Sequence, residues 1–306
     1  MKQSILNFRN SQKAQTIVTF VLLLIIAVFL VYYLIEHPSI WQKVTELSLI
    51  DFLSILALYG VFFIALAIVL YYSVIFCGKV LGVRETVLLN AYSSLTNFFG
   101  PGQSGPGVRA LYLKGKLGLH IKSFIFVSLI YYAFYAILSA IMLFSAVRPW
   151  WLAILLTVGV VGVCAGVLGF YGRKQQSGPK NVVLLSLIGI LIGTILQMIA
   201  QVAIYAVELQ SISVNATLGQ VISYTGAANF SLFVSLTPGA IGIRESFLIF
   251  SESLHHISNT NIISAGVIDR AVYVVFLGIV FLLIITLHAK GKFDTFRQGK
   301  PSSTDR

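Results

Sequence analysis

Five stretches of this chain run on without a single formal charge: residues 17–35, 52–77, 123–147, 149–172 and 181–207. A helix needs roughly 17–25 mostly apolar residues to cross a hydrocarbon layer about 30 Å thick, and every run reaches that length. Hydrocarbon offers no partner to backbone N–H and C=O groups, so such runs take the form that pairs them internally, the helix. The remaining composition agrees, with 58% of the 306 residues hydrophobic and 10% charged, against about 25% charged in an average soluble domain. The expected fold class is an all-α polytopic membrane protein.

The charges that remain are sorted by side. Most of the 21 Lys and Arg fall in residues 1–16, 79–84, 109–122, 173–180 and 290–306, which the positive-inside rule assigns to the cytoplasmic face, with both termini on that side of a cell membrane. The net charge of +11 is then a topological signal directed at anionic lipid. Helix spans leave no broad face for a duplex, so a nucleic-acid partner is excluded. Lys2, Arg9 and Lys13 ahead of 17–35 imitate a secretion signal, but the run is long and Glu36-His37-Pro38 is not a small-residue cleavage site, so a retained first helix is expected. The longest polar stretches, the first 16 residues and the tail from Lys290, are too short for a catalytic extramembrane domain. Cys77 and Cys164 have neither zinc nor disulfide spacing and are expected as buried free thiols. His255-His256 has no ligand-spaced partner and is assigned to an outer loop. No metal, cofactor or catalytic residue is expected.

Two broken segments interrupt the apolar pattern in an echoing way. Tyr92-x4-Asn97-Phe98 leads into Gly/Pro-rich sequence closing on Gly107-Val108-Arg109. Tyr224-x4-Asn229-Phe230 leads into another break, Pro238-Gly239, closing on Gly242-Ile243-Arg244-Glu245. Followed through the charge pattern, 86–113 enters from and returns to the cytoplasmic side, and 216–253 does so from the outer side. The expectation is six full transmembrane helices plus two re-entrant broken-helix hairpins in an inverted-topology repeat; if the broken segments cross fully, the count is eight helices. The domain expectation is one transmembrane domain over 1–290, with repeat one near 50–147, repeat two near 180–288, extra helices at 17–35 and 150–171, and a polar cytoplasmic tail at 291–306.

Broken helices in paired positions point to a binding site in transporters. Irregular backbone is tolerated at membrane depth only inside protein or beside a polar cavity, and free N–H groups at a half-helix start suit phosphate or carboxylate. Candidate substrate-binding residues are Arg109, Arg244, Glu245, Asp269, Arg270, Asn97, Asn229, Tyr92, Tyr224, Gly107, Pro238, Gly239 and Gly242. Arg109 either grips an anionic headgroup or is one more cytoplasmic anchor. Arg244 either does the same or pairs with Glu245. Asp269 and Arg270 are costly inside an apolar helix and cannot face each other as neighbours, so Asp269 is expected to reach Arg244 and Arg270 to reach Glu245. That set either lines a substrate path or clamps two helices together. Gln197 and Gln201, four apart, either line a cavity or bind helices.

Thr237-Pro238-Gly239-Ala240-Ile241-Gly242-Ile243-Arg244-Glu245, paired with Asn97 and Gly107-Val108-Arg109, resembles the lysylphosphatidylglycerol synthase transmembrane-region family over roughly residues 15–290. The resemblance implies movement of an aminoacylated phospholipid between leaflets. It does not imply lipid synthesis, because the soluble aminoacyl-transferase domain of the two-part synthases is lacking. Ala240 stands where a further glycine is common in the family. The leading expectation is a lipid translocase for an anionic or aminoacylated phospholipid. A membrane transferase on a polyprenyl- or glycolipid-linked substrate, using Glu245, Asp269 and His255, is the alternative, and a membrane scaffold is a third. Expected partners are the lipid substrate and membrane lipids, with a second copy or a separate synthase as candidate protein partners.

Overall fold

A computed structural model describes residues 47–99, 104–172, 180–233 and 243–297. All regular structure there is helical. In chain order the helices are α1 (Leu49–Phe76), α2 (Val83–Phe99), α3 (Ser104–Leu117), α4 (Ile121–Phe144) and α5 (Trp150–Gly172). They continue as α6 (Lys180–Ser211), α7 (Leu218–Ser231), α8 (Ile243–Phe250), α9 (Glu252–His255) and α10 (Asn259–Arg297).

Local chemistry marks their ends. Ser48 caps α1 by accepting from the Asp51 N–H at 3.1 Å, with Asp51 itself in the positive first turn. At the other end Gly78 takes φ +72°, and the N–H groups of Gly78 and Lys79 bond back to Ile75 and Val74 carbonyls, a Schellman stop that needs the glycine. A reciprocal Thr217–Gln220 capping box starts α7.

The span count differs from the sequence expectation. Among the described residues four helices are long and apolar enough to cross a membrane: α1, α4, residues Asn181–Ser211 of α6 and residues Asn259–Thr286 of α10. The described residues form an all-α bundle with four helices long enough to span, which corrects both the expectation of six full helices with two re-entrant hairpins and that of eight helices. The expected first helix, 17–35, lies outside the described residues. The run 149–172 offers only the shorter apolar stretch Trp150–Gly166. Lack of charge measures solubility in hydrocarbon, whereas spanning also demands uninterrupted length, and α2, α3, α7 and α8 have 17, 14, 14 and 8 residues.

Glycines set how closely the helices approach. A Cβ on Gly189 would lie 2.4 Å from the Tyr72 ring, and one on Gly193 would lie 2.8 Å from Val69, so this G-x-x-x-G face lets α6 lie directly on α1. At Gly226 of α7 a Cβ would fall 2.3 Å from the Leu143 backbone nitrogen of α4. Helices α2 and α3 lie antiparallel: Ser104 donates to the Thr96 carbonyl, Arg109 meets Asn90, and Tyr112 and Lys116 both meet Glu85. Burial opposes ionisation of Glu85, and the hydrogen bonds from Lys116 and Tyr112 outweigh it, holding the carboxyl below its usual range. Cys77 and Cys164 are free thiols, each partly exposed rather than buried.

Candidate functional site

Where α1, α2, α3, α4, α6, α7, α8 and α10 converge they line a partly open cavity of about 240 Å³. Its charged lining is Arg109 from α3, Arg244 from α8, and Asp269 and Arg270 from α10. Its wall is mostly aromatic, with Tyr59 of α1, Tyr131, Tyr132 and Tyr135 of α4, Tyr205 of α6 and Tyr273 of α10. The two echoed segments therefore send their arginines to one place.

Each arginine is held differently. Arg109 donates through Nη2 to the Asn90 side-chain oxygen at 2.9 Å, and Asn90, fully buried, donates to the Phe63 carbonyl at 3.0 Å. Asn90 thus orients Arg109 against α1. No carboxylate among the described residues pairs with Arg109, and its Nε has no acceptor. Arg244 donates from Nη1 to Asp269, which also accepts from the Tyr59 hydroxyl. The Arg244 guanidinium lies over the Tyr205 ring, 5.2 Å from its centroid, while its Nε and Nη2 have no acceptor among the described residues. Arg270 pairs with Glu245 at 2.5 Å. Both pairings are those expected from charge costs within an apolar helix, and both span α8 and α10.

The neutral lining is fastened by hydrogen bonds between α4 and α6. The Tyr131 hydroxyl donates to the Gln197 Oε1 at 2.9 Å, and Tyr135 and Gln201 meet at 3.2 Å. The two glutamines therefore do both things the sequence left open, joining helices and facing the cavity.

Of the other residues singled out in the sequence, Asn97 lines the cavity. Tyr92, Tyr224, Asn229, Glu245 and Gly107 do not. Tyr224 is fully buried between the Tyr205 ring and the His255 ring, at centroid distances of 5.4 and 5.3 Å. Asn229 is also fully buried and donates to the Met198 sulfur at 3.2 Å. Gly107 is exposed in the first turn of α3. Pro238, Gly239 and Gly242 lie outside the described residues. His255, expected in an outer loop, is instead buried at the end of α9 and occupied by backbone contacts. It is not grouped with Asp269 at the cavity.

Sequence reasoning missed Asn90, the tyrosines and Glu208. The last ends a stripe of α6, Gln197, Gln201, Tyr205 and Glu208, at steps of four, four and three residues. That spacing puts all four on one helix face, and the polar stripe was readable although what it faces was not.

A family model described as the lysylphosphatidylglycerol synthase TM region matches residues 17–280. The chain belongs to that family. No curated protein matches it. Membership in the lysylphosphatidylglycerol synthase TM region family supports a multi-pass membrane protein with a lipid-handling function in general terms. In this family member the match covers every residue that lines the cavity.

Proposed function

We propose that the chain is a lipid translocase that moves an anionic or aminoacylated phospholipid between leaflets, with the headgroup seated between Arg109 and Arg244. The observation that carries this reading is the pair of arginines at one cavity, each retaining guanidinium N–H groups without an acceptor among the described residues. A buried donor left unpaired costs about 1–3 kcal/mol, and a phosphate supplies the oxygens that a guanidinium fork matches. Size agrees: about 240 Å³ is below the roughly 300–1,000 Å³ of pockets for drug-sized ligands. That volume suits a headgroup rather than a whole lipid, whose two acyl tails would stay in the bilayer. The basic bias of the sequence places both termini on the cytoplasmic side.

The test is leaflet exchange of labelled anionic and aminoacylated phospholipids in liposomes holding the purified chain. Wild-type protein is expected to exceed empty liposomes for at least one of these lipids. Arg109→Ala, which breaks no ion pair among the described residues, is expected to lower the rate about tenfold or more, the loss of one charge-assisted contact of about 1.5–3 kcal/mol. Exchange no faster than in empty liposomes for every lipid class would refute the proposal.

A further inference from the structure

Glu208 has no part in headgroup binding as described, yet its setting is unusual. None of its surface is exposed, and no N–H or O–H donor among the described residues bonds to either carboxyl oxygen. An ionised carboxylate in that condition has lost water and gained nothing in return.

The groups facing it come from every side. Asp269 of α10, Arg244 of α8, Tyr59 of α1, Tyr224 of α7 and Tyr205 of its own helix lie within its electrostatic range. Arg244 is the one cation in that group, and its Nη1 is committed to Asp269. Asp269 also receives the Tyr59 hydroxyl, so its charged form has two donors where Glu208 has none. The two carboxyl groups are within hydrogen-bonding reach of each other. Two carboxyls form such a bond only when one carries a proton. The donor count places that proton on Glu208.

The geometry points to Glu208 as a proton-binding site, its proton linked to occupancy of the neighbouring cavity by an anionic lipid headgroup. The linkage rests on the translocation reading; the proton site stands on the full burial of Glu208 and the donors its oxygens lack among the described residues. With Glu208 protonated, Arg244 faces one carboxylate and keeps Nε and Nη2 for an incoming anionic oxygen. With Glu208 ionised, Arg244 faces two carboxylates, and the positive charge that the Arg109–Arg244 cavity offers an incoming anion falls by one. Anion and proton therefore favour each other, and the coupling is reciprocal. Asp269 lines the cavity, so the proton leaving Glu208 passes to water through the Asp269 carboxyl.

Infrared spectroscopy of the reconstituted full chain reads the proton directly, because a protonated carboxyl has a C=O stretching band that a carboxylate lacks. At neutral pH the wild-type protein is expected to show that band, with Glu208→Gln lacking it and Glu245→Gln keeping it. A wild-type protein without the band, or a band that survives Glu208→Gln, overturns the proton site. The wild-type measurement needs no variant to fold. Calorimetry with a short-chain phosphatidylglycerol in detergent reads the linkage. Wild-type affinity is expected to fall about tenfold as pH rises through the loss of the band, whereas Glu208→Gln, neutral throughout, holds its affinity. Equal pH dependence in the two proteins overturns the linkage. Absence of lipid binding by both at every pH overturns the headgroup reading and the linkage together, and the infrared result then decides the proton site by itself.

Discussion

Asp269 accepts from Arg244 and Tyr59 deep between α1, α8 and α10, and only about 5% of its surface is exposed. Such a pair returns little net stability against its desolvation, yet removing one member strands the other. Asp269→Ala is expected to destabilise the protein by about 3–5 kcal/mol, and the double variant Arg244→Ala/Asp269→Ala by less than Asp269→Ala alone. Thermal unfolding in detergent makes the comparison, and a double variant as unstable as the single would contradict it. His255 poses a pH question of its own. The Ile257 N–H donates to Nδ1 at 3.1 Å, so the ring proton sits on Nε2 and is donated to the Leu248 carbonyl 3.0 Å away. Burial holds the imidazole below its ordinary value despite that backbone bond. The unfolded chain takes the proton first, at about pH 6.5, so this contribution to stability is complete above that pH and is lost as pH falls below it. His255→Gln is expected to be less acid-sensitive than wild type in the same unfolding measurement; parallel curves would rule the contribution out.

Among the helices, close approach decides the packing. Gly226 brings α7 onto α4 with no room for a methyl group: a Cβ would meet Leu143 backbone atoms at 2.3 and 2.8 Å and the Ser139 carbonyl at 2.8 Å. Backbone cannot rotate aside as a flexible side chain does, so Gly226→Ala is expected to cost about 1–3 kcal/mol through overpacking. Gly60→Ala is the control, since a Cβ there meets nothing within 4 Å and alanine is the better helix former by up to about 1 kcal/mol. Equal unfolding temperatures for the two variants would show that the α4–α7 contact yields. The consequence reaches the cavity, because Ala228 and Leu232 from this segment and Tyr131, Tyr132 and Tyr135 of α4 all stand on its wall.

For the molecule as a whole, the sequence by itself determined the solvent. Runs without charge can settle only in hydrocarbon, and hydrocarbon accepts only backbone that pairs with itself, so helices followed from composition without any long-range contact. It determined also that Asp269 and Arg270 each required a partner, because the cost of a lone charge in an apolar helix is a local fact. The candidates Arg109, Arg244 and Asn97 were legible from two matching breaks, and they do share one cavity. The number of spanning helices was not legible, since absence of charge does not report where a helix stops, and the four described spans corrected a count built on charge alone. Nor could one chain segment show that Asn90 orients Arg109, that α4 tyrosines meet α6 glutamines, or that Glu208 and Asp269 share a single cation. Those facts join residues separated by 19 to 66 positions. Only tertiary packing decides them, because the energy of a buried polar group depends on what the rest of the fold places against it.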